Sequence, residues 1–132
     1  MKEDLIDKNG IKFAHDFVVE YKILSELEGG RKTLPRQGIK WDFSYKSPTH
    51  DLNKLFMIWP QFINEKGQII QKTEKSVPIC GKARMWIVND KMRKYHQDKI
   101  HVGLKAYAME GNHVVANYLV TEIVGLITNP IK

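Results

Sequence analysis

Two stretches of this chain alternate apolar and polar residues with a period of two, and that pattern limits what it can fold into. Phe13, Phe17, Val19, Tyr21 and Ile23 hold odd positions, with Asp16, Glu20 and Lys22 between them. Ile39, Trp41, Phe43 and Tyr45 repeat the arrangement against Lys40, Asp42, Ser44 and Lys46. Successive side chains of an extended chain point to opposite faces, so each run has an oily face and a wet face, as a half-buried strand requires. Gly29-Gly30 stops the first run and Ser47-Pro48 the second.

The remaining segments are short and extended in the same way. Leu55 to Ile63 is densely apolar but broken by Pro60, which has no N–H for a central ladder and marks an edge strand or a bulge. Asn64-Glu65-Lys66-Gly67 forms a turn that returns Ile69-Ile70 as a hairpin partner. Val77-Pro78-Ile79-Cys80-Gly81 is a bend, and Ala83 to Val88 a further strand. Asp90 to Lys99 lacks a long apolar stripe and is expected to give one helical turn. Val102 to Met109 and His113 to Leu126 flank Glu110-Gly111-Asn112, where Gly-Asn suits a type II′ hairpin. Six or seven short strands with at most one short helix predict an all-β barrel or sandwich.

With 132 residues, 42% of them hydrophobic, the chain suits one domain with a packed core. Residues 1–12 are polar and expected to form a flexible lead-in, with the body at 13–127 and a tail at 128–132. Twenty-one Lys and Arg against fifteen Asp and Glu give a formal charge of +6. That excess favours nucleic acid first, then an anionic membrane surface or an acidic protein, and it also suits a merely solvated surface. No run approaches the roughly 18 apolar residues needed to cross a bilayer. Met1-Lys2-Glu3-Asp4-Leu5 is charged with no apolar segment behind it, and Cys80 alone forms no internal disulfide. A cytoplasmic protein with no membrane contact is expected.

The residues that carry catalysis elsewhere are not arranged for it here. Gly81-Lys82 is followed by Ala83, where a phosphate-binding loop needs a hydroxyl, so no nucleotide binding is expected. His15, His50, His96, His101 and His113 are scattered and are expected at surfaces or turns; no metal or cofactor is anticipated. Cys80, beside Gly81 in an apolar bend, is expected to be a small buried residue. No serine occupies a Gly-x-Ser-x-Gly elbow.

Basic residues give a more definite signal. Arg31, Lys32, Arg36 and Lys40 cluster around the double glycine with Thr33, and Lys91, Arg93, Lys94, His96 and Lys99 form a second basic group. Exposed amides and cations in a turn suit a phosphate backbone, and either group also suits solvated loop. Arg31, Lys32, Thr33, Arg36, Lys40, Lys91, Arg93 and Lys94 are the candidate RNA- or partner-binding set. Phe56-Met57-Ile58-Trp59-Pro60 is the alternative contact surface, as an apolar anchor, unless it fills the core.

Leu24-Ser25-Glu26-Leu27-Glu28-Gly29-Gly30-Arg31-Lys32-Thr33 resembles the opening of the third, C-terminal β-barrel domain of bacterial elongation factor Tu, with its Leu-Ser…Glu-Gly-Gly-Arg-His/Lys-Thr-Pro turn. The likeness continues through Gly38, Ile39, Lys40 and Phe43, through Val77 to Val88, and through Leu104 to Gly111. It implies an all-β fold, a closed antiparallel six-stranded barrel of Greek-key type. It also implies a stand-alone, non-catalytic binding module with protein or RNA contacts, in which Arg31 and Lys32 match the family's tRNA-contacting pair. Two alternatives accompany it: a basic tRNA- or RNA-binding protein using the Gly-Gly-Arg-Lys-Thr turn, or an immunity- or effector-type protein imitating an elongation-factor surface.

Overall fold

The computed structural model describes residues 5–6, 12–46, 54–72 and 76–131. Leu5–Ile6 (β1) and Lys12–Phe13 (β2) pair as a short antiparallel ladder; the rest of the expected lead-in lies outside the described residues. Six longer strands follow: β3 (Phe17–Ile23), β4 (Asp42–Tyr45), β5 (Ile58–Ile63), β6 (Cys80–Ile87), β7 (Lys105–Glu110) and β8 (His113–Ile123). They form one antiparallel sheet in the order β4-β7-β8-β3-β6-β5. The alternation of the sequence becomes two faces along β3, where Glu20 and Lys22 are exposed, whereas in β4 Ser44, expected on the wet side, is fully buried. Phe17, Val19, Tyr21 and Ile23 are buried with Trp41, Phe43, Phe62, Met85, Ala108 and Tyr118 in one inner cluster. Aromatic rings meet there edge to face, as their quadrupoles favour: Tyr21 on Phe62 at 5.0 Å and Phe17 on Phe43 at 5.9 Å between centroids.

The expected closed barrel is corrected to an open half-barrel, coiled through 209°. Closure would need β4 and β5 to pair along their length, and β4 has only four residues. The two edges touch at one antiparallel bridge, where Phe43 and Phe56 exchange N–H···O bonds of 2.8 and 2.9 Å. Pro60 sits in β5, the edge strand expected of it. Bulges between Val18 and Val19 and between Ala108 and Met109 bend the sheet locally.

The segment between β3 and β4 satisfies backbone that a closed barrel would have paired. The Gln37 side chain donates to Phe62 O at 2.7 Å and Ile70 O at 2.9 Å, and its Oε1 accepts Phe62 N–H at 2.8 Å. One amide thereby acts as a fragment of missing strand. Gly111 opens the β7–β8 hairpin at φ 58°, with Asn112 at negative φ, as a type II′ turn requires.

A second polar knot ties the other end. Asp16 and Arg93 are fully buried and joined by an Nε–Oδ1 contact of 2.8 Å. Asp16 Oδ2 accepts Ile87 N–H at 2.8 Å, and Asn129 Nδ2 donates to Asp16 Oδ1 and Ala14 O. Arg93 also donates to Pro130 O. The start of β3, the end of β6, the helix Arg93–Gln97 (α1) and the last residues are thus held together. The tail expected beyond residue 127 is partly packed, with Asn129 buried.

Two stability measurements check these ties. Gln37→Ala removes the acceptor of the Phe62 N–H and a donor to the Phe62 and Ile70 carbonyls, the first of which keeps the Ile70 N–H, and should lower the unfolding free energy by about 2 kcal/mol in urea titration. Arg93→Met strands a buried carboxylate and should cost about 3–5 kcal/mol, with Asp16→Asn on top recovering much of the loss. A double variant no better than the single one would contradict the pair's role.

Candidate functional site

The Gly-Gly turn is built by local capping. Ser25 and Glu28 close a capping box around the 3-10 turn Glu26–Glu28, with Ser25 N–H to Glu28 Oε1 at 2.9 Å and Glu28 N–H to Ser25 Oγ at 3.2 Å. The Ser25 backbone and hydroxyl hydrogen bonds hold the Glu28 carboxyl below its usual range. Gly30 folds back so closely that a Cβ would overlap the Leu24 carbonyl, which makes this glycine obligatory. Arg31 is half-buried. Its Nε lies 3.1 Å from Glu110 Oε2, the same oxygen that accepts Trp41 Nε1 at 2.7 Å. Arg31 therefore braces the turn against β7 and β4. Lys32, Thr33 and Arg36 are exposed, and Lys40 lies over the Trp59 ring at 5.1 Å.

The second basic group is split. Lys91 and Lys94 are exposed, but Arg93 is 1% exposed and committed to Asp16, which removes it from the candidate contact set. The helical stretch, which has no long apolar stripe, makes its buried face from Arg93 and His96. The two groups also lie far apart. Asp16 precedes β3 and the Gly-Gly turn follows it, so seven residues of strand, about 20 Å, separate them. They do not form one patch.

The apolar segment 56–60 faces largely inward. Ile58 and Pro60 are buried, Phe56 and Trp59 half-buried, and only Met57 is exposed. Cys80 reverses its expectation and is exposed, because β6 begins three residues earlier than the sequence pattern marks and turns that side chain outward.

His96 also departs from the surface position expected of it. It is 1% exposed, with Phe56 and Tyr95 edge-on at 4.7 and 5.1 Å. Its Nδ1 pairs with the Tyr45 hydroxyl, and its Nε2 has no hydrogen-bond partner among the described residues. Burial, then the Lys99 charge, pushes its pKa down to about 4. Burial likewise pushes the Tyr45 phenol well above its usual value. The pair is neutral at physiological pH. Among the described residues, no three His, Cys, Asp or Glu side chains gather closely enough to hold a metal ion.

The outer face of the sheet was missed as a site, because its members are dispersed from residue 18 to 122. Register assembles them in rows. Lys82, Glu20, Leu119 and Lys105 stand side by side across β6, β3, β8 and β7, and the next row is Cys80, Lys22, Asn117 and Tyr107. A groove of about 1030 Å³ runs between the Asn64–Gln68 turn and the outer side of β3 and β6, with Val18, Ile63 and Val124 among its apolar lining. A second, of about 440 Å³, lies among Lys22, Lys46, Lys105 and Asn117, and Cys80 lines both. The wet phase of each alternating strand was the available signal.

No family model matches this sequence, and no curated protein matches it. No helix among the described residues is long and apolar enough to cross a membrane.

The His96 environment sets a pH dependence. Its folded-state pKa of about 4 lies below the ordinary imidazole value of 6.5, so the unfolded chain takes up the proton first. Stability should be full above about pH 6.5 and decline by up to about 3 kcal/mol as pH falls toward 4. Urea titrations across that range check it, and His96→Gln should flatten this part of the profile.

Proposed function

We propose that this chain is a non-catalytic binding module whose partner is a polyanion, RNA foremost. The observation that carries the reading is electrostatic. Lys22, Lys32, Arg36, Lys82 and Lys105 are exposed and make no ion pair with any described residue, on a chain of formal charge +6. Exposed cations outside ion pairs, three of them on the sheet and two in the loop after β3, attract phosphates and release counterions on contact. The resemblance of Leu24 to Thr33 to an elongation-factor turn adds a second support and makes translation the natural setting. Arg31 is a brace in this reading, while Lys32, Thr33, Arg36 and Lys40 remain available to a partner at that end.

The apolar alternative is less favoured, since the 56–60 segment spends most of its surface on the core. Fluorescence polarisation with labelled bulk tRNA and a labelled oligouridylate tests the reading. Binding should appear at low salt and weaken steadily as salt rises, with a linear log–log slope. No binding to either nucleic acid at low salt, or binding indifferent to salt, would defeat it.

A further inference from the structure

We infer that the outer, convex face of the sheet is the contact surface, and that it takes an extended single strand of nucleic acid whose backbone crosses the Lys82–Lys105 row. The inference rests on the polyanion reading above and assigns it a place.

Three observations converge. Charge comes first: the two outer grooves are lined by Lys22, Lys46, Lys66, Lys82, Arg84 and Lys105 against three carboxylates, Glu20, Glu65 and Glu122. A net positive charge thus spreads over β3, β6 and β7 and the residues flanking β4 and β5, and extends beyond any one turn. The lining chemistry comes second. Pro78, exposed, and Val124, half-buried, give the larger groove apolar surface that phosphates alone would not use, over the nearly covered Val18 and Ile63. Unstacked bases have apolar faces and suit it, and Tyr107, with Lys46 at 5.8 Å from its ring, offers an aromatic ring in the neighbouring row. Shape is third. The sheet coils through 209°, so its outside is convex. A rigid duplex touches a convex surface along a short line, whereas a flexible strand follows the curve and enters both grooves. The bases of a duplex are also stacked away from any apolar surface.

The grooves meet at Cys80, which is exposed and is the chain's single cysteine. It therefore reports occupancy without any substitution. Saturating oligouridylate should slow maleimide alkylation of Cys80 several-fold in the wild-type protein, and high salt should restore the free rate. In the K22E/K82E/K105E variant the affinity for oligouridylate should collapse and the salt slope should shrink by about 2 in magnitude, as expected for three lost contacts to a single strand. K32E/R36E, at the Gly-Gly end, should leave Cys80 protection intact. The three outer lysines point to solvent, so far-UV circular dichroism of the triple variant should match wild type; if it does not fold, Cys80 protection alone decides.

The failures are distinguishable. If wild type binds no nucleic acid, the polyanion reading falls and this surface with it. If wild type binds oligouridylate while Cys80 reacts at its free rate, only the placement falls. Duplex RNA bound as tightly as the single strand would overturn the inference that the ligand is an extended strand.

Discussion

The buried contact between Asp16 and Arg93 is the tie on which the rest of the structure depends. A carboxylate and a guanidinium taken out of water are each expensive, and their attraction offsets that only when further hydrogen bonds satisfy the remaining atoms. Here they do: Asp16 also accepts from Ile87 N–H and Asn129, and Arg93 donates to Pro130. These partners come from β3, β6, α1 and the final residues, which share no ladder that would align them all. The knot therefore fixes where the helical turn docks. That docking in turn carries His96 into contact with Tyr45 and Phe56, beside the bridge that joins the two sheet edges.

The opposite end is held by neutral and partly exposed contacts. Gln37 supplies hydrogen bonds where strand pairing is missing, and Arg31 with Glu110 and Trp41 anchors the turn before it. A half-barrel leaves two edges whose backbone groups need partners or water. In this chain one edge is blunted by Pro60 and by the Gln37 amide, and the edges meet at a single bridge. The open form thus follows from a four-residue β4 and a side chain that substitutes for its missing length.

Charge divides the molecule functionally. Cations that the sequence places close together, such as Arg31 and Arg93 with their neighbours, are in part consumed by structure. Cations that the sequence scatters, Lys22, Lys82 and Lys105, stand together on the outer face and make no ion pair with any described residue. A contact surface read from clustering along the chain therefore differs from one read in space, and the second carries the proposed strand-binding face.

Much of the fold was legible in the residues themselves. Alternation marked β3 and β4 and their inward rings; Pro60 marked the edge; Gly111-Asn112 marked the hairpin. These are local signals, because the pleat sorts side chains within a few residues. Only the tertiary structure decided that the sheet stays open, that Arg93 and His96 are buried, that Cys80 is exposed, and which lysines stand in one row. Each depends on partners far away in the chain, with 77 positions between Asp16 and Arg93 and 51 between Tyr45 and His96. Strand register and the satisfaction of buried charge set those distances, and neither is written in any short window of sequence.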